Sequence, residues 1–263
     1  METAEAPVTL LALLTDEGQV GWGEATPLHS INGETNLTVV AALQSVAPHL
    51  LGRSVEDIHS LIDELEYILP GQHAAVSAVD IALYDLAAQK AGVPLVEYLG
   101  GKARLLPTDQ TIGIKPTPVA IQQAEGYVAE GHRTIKIKIG SVPSEDIERV
   151  IALREALGPD VALRVDANQG YDRETAHDVL TQFASQDIEF CEQPVRRTDR
   201  PSMNWLAKNA PVSIMADESV FSPHDAAELI ADGALTMFNV KLSKSRGICR
   251  GAEIARLVQN AQG

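Results

Sequence analysis

The chain has 263 residues, 45% of them hydrophobic, and carries a net charge of −15. That length allows a large core or two domains, while the acidic balance and 4% aromatic content argue against nucleic acid, which needs clustered positive charge and stacking surfaces. No apolar run approaches the ~20 residues of a membrane-spanning helix, no leader peptide is expected from the first residues, and the two cysteines are too few for a disulfide framework, so the expected setting is a reducing cytoplasm.

Residues 7–25 read as a β-hairpin, with Asp16-Glu-Gly18 supplying the turn between two strand-like runs. A loop around Asn32-Gly-Glu-Thr35 follows, then helices over about 36–50, 55–68 and 72–91. In the third, Ala75, Val79, Ala82, Leu83 and Leu86 recur at helical spacing and predict one apolar face. Gly92 and Pro94 end it. This gives an α+β domain over residues 1–100, with Leu99-Gly-Gly101 and Pro107 at the junction.

From there strands and helices alternate, the pattern of βαβ units and a parallel sheet. Strands are expected at about 108–114, 134–140, 161–167, 188–193, 212–217 and 237–242, with a last helix over 248–259. The stretch from Pro107 to Gly263 is shorter than the roughly 200–250 residues of an eight-unit barrel. Six units leave such a barrel open, which predicts a piece of a longer chain or closure against a second copy, and hence a homo-oligomer. The second domain is therefore read as residues 101–263, a (β/α) barrel lacking its C-terminal part.

Charged residues are embedded in these strands. Alternation puts Ile135, Ile137 and Ile139 on one face and Lys136 and Lys138 on the other. A strand in a parallel sheet is covered on both faces, so the lysines are expected to point into the barrel, where an ammonium needs a partner. Asp166 shares its face with Arg164 and Asn168; Glu192 and Asp217 stand near the ends of the next two strands, with Glu218 pointing the other way; Lys241 follows on the sixth. Cys191 turns outward and reads as a packed core thiol. Three carboxylates at the C-terminal ends of neighbouring strands are hard to explain as a structural ion pair, because that is where βα barrels carry active sites. An all-oxygen donor set suits Mg²⁺ or Mn²⁺, one per subunit, better than zinc. Among seven histidines no metal-binding spacing occurs, and His29 reads as a surface loop residue.

The pieces Lys136-Ile-Lys138, Asp166-Ala-Asn168, Glu192-Gln-Pro194, Asp217-Glu-Ser219 and Lys241-Leu-Ser-Lys244, with Gly21-Trp-Gly-Glu24, Asp80-Ile-Ala-Leu-Tyr-Asp85 and Leu99-Gly-Gly101, occur in an order that resembles the enolase superfamily, in its mandelate racemase and muconate-lactonising branch. The resemblance covers nearly the whole chain. It implies an α/β protein with an enolase-type α+β capping domain followed by a TIM-like barrel. It implies that Asp166, Glu192 and Asp217 hold the metal, that Lys138 and Lys241 are acid/base groups on opposite faces of the substrate, and that Lys136 favours the neutral amine of Lys138 by like-charge repulsion. Asn168, Arg164 and Glu218 would support the site or touch substrate. The reaction implied is removal of the proton α to a carboxylate through an enediolate, followed by its return to the opposite face.

Thr108-Asp-Gln-Thr-Ile-Gly-Ile114 and Asn32-Gly-Glu-Thr35 look most like dipeptide epimerases, so the expected substrate is a dipeptide. The Asp-x-Asp with which family epimerases hold a substrate amino group would lie beyond Gly263. The same metal and lysines serve a muconate-type cycloisomerase or a syn-dehydration of the o-succinylbenzoate synthase kind, and a catalytically silent fragment is the alternative of another class.

Overall fold

The structure is a computed structural model that describes residues 7–233 and 235–262; the expected domain limits at residues 1 and 263 fall outside this range. The chain divides into two compact units. The first contains the described residues up to Arg104 together with Val220–His224 and Val240–Asn260, and the second contains Leu105–Ser219 and Asp225–Asn239. The first unit thus ends at Arg104 along the first part of the chain and takes in a C-terminal segment as well.

The first unit opens with strands β1 (Thr9–Leu14) and β2 (Val20–Ala25), paired antiparallel from Thr9 with Ala25 to Leu14 with Val20. Gly18 takes a φ of 86° in the turn, and the Thr15 Oγ1 accepts from the Gln19 amide at 3.0 Å. Helices α1 (His29–Asn32), α2 (Asn36–Leu50), α3 (Ile58–Ile68), α4 (His73–Ala91) and α5 (Leu95–Tyr98) follow. Thr35 and Thr38 form a reciprocal capping box at the start of α2. Residues 55–57, expected to be helical, precede α3 as a turn in which the Asp57 amide donates to the Ser54 carbonyl.

The strand β2 shows why its glycines are spaced by two. Gly21, Gly23 and Ala25 are buried while Trp22 and Glu24 are exposed. A Cβ on Gly23 would sit 1.9 Å from the Ala78 carbonyl oxygen, and one on Gly21 would sit 2.3 Å from that of Ala82. The strand thus lies directly on the backbone of α4. The Gln89 Nε2 donates to the Val20 carbonyl at 2.8 Å and holds the strand to the helix.

Helix α4 differs from the one-faced helix the sequence predicts. Thirteen of its residues are buried, and they lie all round it. The reason is its central position: β1, β2, α2, α3, α5 and the later helix α11 (Leu242–Ser245) all pack on it. Each fully buried valine contributes about 1.5–3 kcal/mol relative to exposure, so Val76 and Val79 are strong anchors. Its N-terminus is capped from a distance, since the buried Glu34 carboxylate accepts from the amides of Ala74 and Ala75 at 2.9–3.3 Å. Burial raises the Glu34 carboxyl, and these amides oppose that shift. Mid-helix, the Asp80 carboxylate accepts from the amides of Ile248 and Cys249 and so caps α12 (Ile248–Gln262). Burial pushes Asp80 up to about 7.

In the second unit six parallel strands pair in chain order: β3 (Gln110–Ile112), β4 (Thr134–Lys138), β5 (Ala162–Asp166), β6 (Ile188–Glu192), β7 (Ile214–Ala216) and β8 (Met237–Phe238). Between them run α6 (Thr117–Ala129), α7 (Pro143–Leu157), α8 (Arg173–Gln182), α9 (Arg200–Asn209) and α10 (Pro223–Ala231). Neighbours in sequence are neighbours in the sheet, the order of a βα barrel rather than of a doubly wound sheet. All six expected strands occur, and β3, β7 and above all β8 are shorter than expected. The Asn239 amide makes one more ladder bond, to the Ala216 carbonyl at 2.8 Å, and the chain then turns into α11. Lys241 therefore stands after β8, at the N-cap of α11, rather than within a strand.

Two substitutions test this packing. Gly23→Ala should destabilise the protein by at least about 1–3 kcal/mol, because the obstacle is helix backbone that cannot rotate away. Asp80→Ala, which leaves two amides without their acceptor, should cost about 1–3 kcal/mol. Urea denaturation followed by circular dichroism measures both, and an unchanged midpoint for either would contradict the corresponding contact.

Candidate active site

Register brings the charged residues of β4, β5 and β6 level. Lys138 pairs with Asp166, and Asp166 with Glu192. A bulge in the β5–β6 ladder between Leu163 and Val165 makes this alignment, since Leu163 faces Ile188 and Val165 faces Cys191. On β7, Met215 stands opposite Glu192, and alternation places Asp217 on the same face two residues on. The isoleucines of β4 are buried on the opposite face.

The Lys136 Nζ lies 2.8 Å from Asp166 Oδ2 and 2.6 Å from Glu192 Oε2. The Lys138 Nζ lies 2.7 Å from the same Asp166 oxygen and donates to Asn168 Oδ1 at 2.6 Å. Asp166, Glu192 and Asp217 are at most 1% exposed. Burial pulls the Lys136 ammonium down, but the charges of Asp166 and Glu192 outweigh it and hold the group above its ordinary value. Burial, and then repulsion from Asp166, raise Glu192 against the opposing pull of Lys136 and Asn239. Burial likewise pushes the Cys191 thiol well up, as suits the packed thiol the sequence predicts.

The loops after the strands are held by residues whose backbones take positive φ. Asn168, at φ 42°, donates its amide to Asp166 Oδ1 at 2.9 Å and its Nδ2 to Glu218 Oε1 at 3.1 Å. Glu218, expected to point away, therefore joins this network. Gln193, at φ 39°, accepts on Oε1 from the amides of Asp217 and Ser219 at 3.0 and 3.1 Å, and donates from Nε2 to the Val195 carbonyl and Ser219 Oγ. This side chain sets where the Asp217 backbone sits. The Asn239 Nδ2 donates to Glu192 Oε1 at 2.9 Å. Under the end of β4, Asp146 Oδ2 accepts from the Gly140 and Ser141 amides at 3.0 Å and from the Tyr171 hydroxyl at 2.7 Å, and Asp146 pairs with Arg149.

Arg164 departs from the expected role. Its guanidinium contacts Asp109 at 2.9 Å and Glu189 at 2.6 Å and lies over the Phe190 ring. It stands opposite Lys136, one alternation before Asp166, and ties β5 to Glu189 of β6 and to Asp109 just before β3. Lys241 belongs to the first unit. Sequence reading did not single out Gln193, Asn239 or the Asp146–Arg149–Tyr171 group. Only the i, i+3 spacing of Asp146 and Arg149 gave a signal.

The donor chemistry fits a hard divalent cation. Three buried carboxylates stand at the ends of adjacent strands, and the buried Glu218 Oε2 has no hydrogen-bond partner. The Lys136 ammonium bridges Asp166 and Glu192. A cation there would take over part of the charge balance that Lys136 supplies.

Residues 119–262 match the family Enolase C-terminal domain-like, and residues 1–100 match Mandelate racemase / muconate lactonizing enzyme, N-terminal domain. The D-Ala-D/L-Ala epimerase of Cytophaga hutchinsonii is 39% identical over 253 residues, which are 96% of this chain and 69% of that protein. The dipeptide epimerase from Enterococcus faecalis, solved in complex with Mg and the dipeptide L-Leu-L-Tyr, is similar at a TM-score of 0.94 and 37% identity over 97% of this chain and 72% of its own. Muconate lactonizing enzyme gives a TM-score of 0.91 at 30% identity, again over 97% of this chain and 72% of its own.

Were Asp217 to hold Mg²⁺, Gln193→Ala would weaken its binding by about 10–100-fold, the usual cost of losing a residue that orients a ligand. Calorimetric titration of Mg²⁺ into the folded variant measures this. Wild-type affinity in Gln193→Ala would remove the side chain from any part in placing Asp217.

Proposed function

The chain belongs to the mandelate racemase / muconate lactonizing enzyme family, and from that premise we propose that it epimerises dipeptides by moving the proton α to the carboxylate. The observation that carries this reading is the pair of lysines on β4 sharing the carboxylate of Asp166, level with Glu192 on the next strand. The dipeptide epimerases at 37–39% identity stand nearer to this chain than muconate lactonizing enzyme at 30%, which favours an amino-acid derivative as substrate.

In this reading Asp166, Glu192 and Asp217 hold Mg²⁺, with Mn²⁺ as a substitute. When bound, the metal neutralises the second negative charge that develops on the substrate carboxylate as the α-proton leaves. Lys138 exchanges that proton on one face of the α-carbon, and Lys241 is the second acid/base. Asn168 positions Lys138: its Oδ1 receives the Nζ, while its Nδ2 is anchored on Glu218. Lys136 keeps its charge between Asp166 and Glu192 and is a positioning residue for both. Two lysines suit a 1,1-proton transfer, because one removes the proton and the other returns it with inverted configuration. A reducing cytoplasm is the proposed setting, in keeping with two free, buried cysteines.

The test is proton NMR in D₂O with Mg²⁺ and a panel of L-Ala-L-Xaa dipeptides. Loss of the α-proton signal at Xaa, with appearance of the second diastereomer, is the expected result. Lys138→Ala and Lys241→Ala should each lower turnover by about 10²–10⁴-fold, the range for a general acid or base. One of them should retain α-proton exchange from a single diastereomer. Undiminished epimerisation by both variants would sink the two-lysine mechanism, and full activity in excess chelator would sink the Mg²⁺ assignment. Turnover of a muconate but of no dipeptide would favour cycloisomerisation.

A further inference from the structure

Three side chains that no step above uses meet within the first unit. His59 comes from α3, and Cys249 and Glu253 come from α12; one ligand atom from each lies within 4.8 Å of the other two. Cys249 and Glu253 are four residues apart and so share one face of their helix. The His59 Nδ1 is 3.1 Å from the Cys249 Sγ. Among the described residues no other group of three His, Cys, Asp or Glu side chains comes this close together.

Both helices are fixed around this point. Arg250 reaches back from α12 to Glu66 of α3 at 2.9 Å and contacts Asp63 of α3 as well. Asp80 holds the Cys249 amide at the first turn of α12. Cys249 is buried, Glu253 is half-buried and His59 is exposed, which leaves an entry path from solvent on the His59 side. The i, i+4 spacing and the pairing of Glu253 with Arg250 bring its carboxylate onto the thiol and imidazole, so three kinds of donor atom meet at one point.

We propose that His59, Cys249 and Glu253 bind Zn²⁺, with a water molecule as fourth ligand, and that the ion clamps α3 to α12. The donor set of one nitrogen, one sulfur and one oxygen is that of zinc, and its thiolate separates it from the oxygen-only chemistry of Mg²⁺. The Arg250 Nη1 lies 3.0 Å from Glu253 Oε1, so a fixed partner already orients this carboxylate. The charges also balance, since a thiolate and a carboxylate together neutralise a divalent cation. Zn²⁺ joins helices that are distant in sequence, so its binding adds directly to the stability of the first unit.

Cobalt reports on this site because a thiolate–Co²⁺ bond gives an intense near-ultraviolet charge-transfer band that oxygen ligands do not. The full chain is saturated with Mg²⁺ and titrated with Co²⁺, then with Zn²⁺. One equivalent of Co²⁺ should produce the band, and Zn²⁺ should abolish it and raise Tm. Cys249→Ser should lose the band and Cys191→Ser should keep it. His59→Ala removes an exposed side chain. It should weaken Zn²⁺ by at least about tenfold, the loss caused even by an outer partner, and should cancel the rise in Tm. A folded wild-type protein with no charge-transfer band, or a band unchanged in Cys249→Ser, would overturn the proposal.

Discussion

Two carboxylates, Asp166 and Glu192, stand level on neighbouring strands in a place sealed from water, and their mutual repulsion organises the second unit. Buried like charges at this separation need a counter-charge, or one of them must take up a proton. Lys136 supplies that charge through contacts to both, and Lys138 adds a second contact to Asp166. The lysines are thus held against the carboxylates by charge. The same groups serve the charge balance of the folded protein and the chemistry proposed for it.

Maintaining this arrangement requires a rigid frame at the ends of the strands. Asn168 and Gln193 adopt positive φ, a conformation that asparagine tolerates better than most side chains, and both turn a strand end back on itself. Each then uses its amide side chain to tie one loop to the next, Asn168 toward Glu218 and Gln193 toward Asp217 and Ser219. The bulge between β5 and β6 belongs to the same design, because without it Asp166 and Glu192 would stand out of step.

The first unit depends on long-range capping. Glu34 closes the start of α4, and Asp80 from the middle of α4 closes the start of α12. Both acids are buried, and burial raises both, so each is held by the amides it receives. These caps bind segments far apart in sequence into one body. Arg250, paired with Glu66 and Asp63, ties α12 to α3, and the His59, Cys249 and Glu253 cluster lies between these two helices.

Much of this was legible in the chain itself. Period-two and helical periodicities marked the hairpin, the long helices and all six strands, because such patterns are local and follow from backbone geometry. The inward face of β4 was readable from three isoleucines alternating with two lysines. The spacing of Gly21 and Gly23 was visible as a motif, but its cause, the backbone of α4 against β2, was not. What the tertiary structure alone decided were contacts between residues with no local relation. Arg164 joins Asp109 and Glu189 because of strand register, α4 is buried all round because elements from several parts of the chain cover it, and Lys241 lies past β8 because the ladder ends at Asn239. Gln193 and Asp80 likewise gain their roles only when loops and helix ends distant in sequence arrive beside them. Periodicity determines which face of an element is apolar; it carries no information about which distant polar group will meet that face.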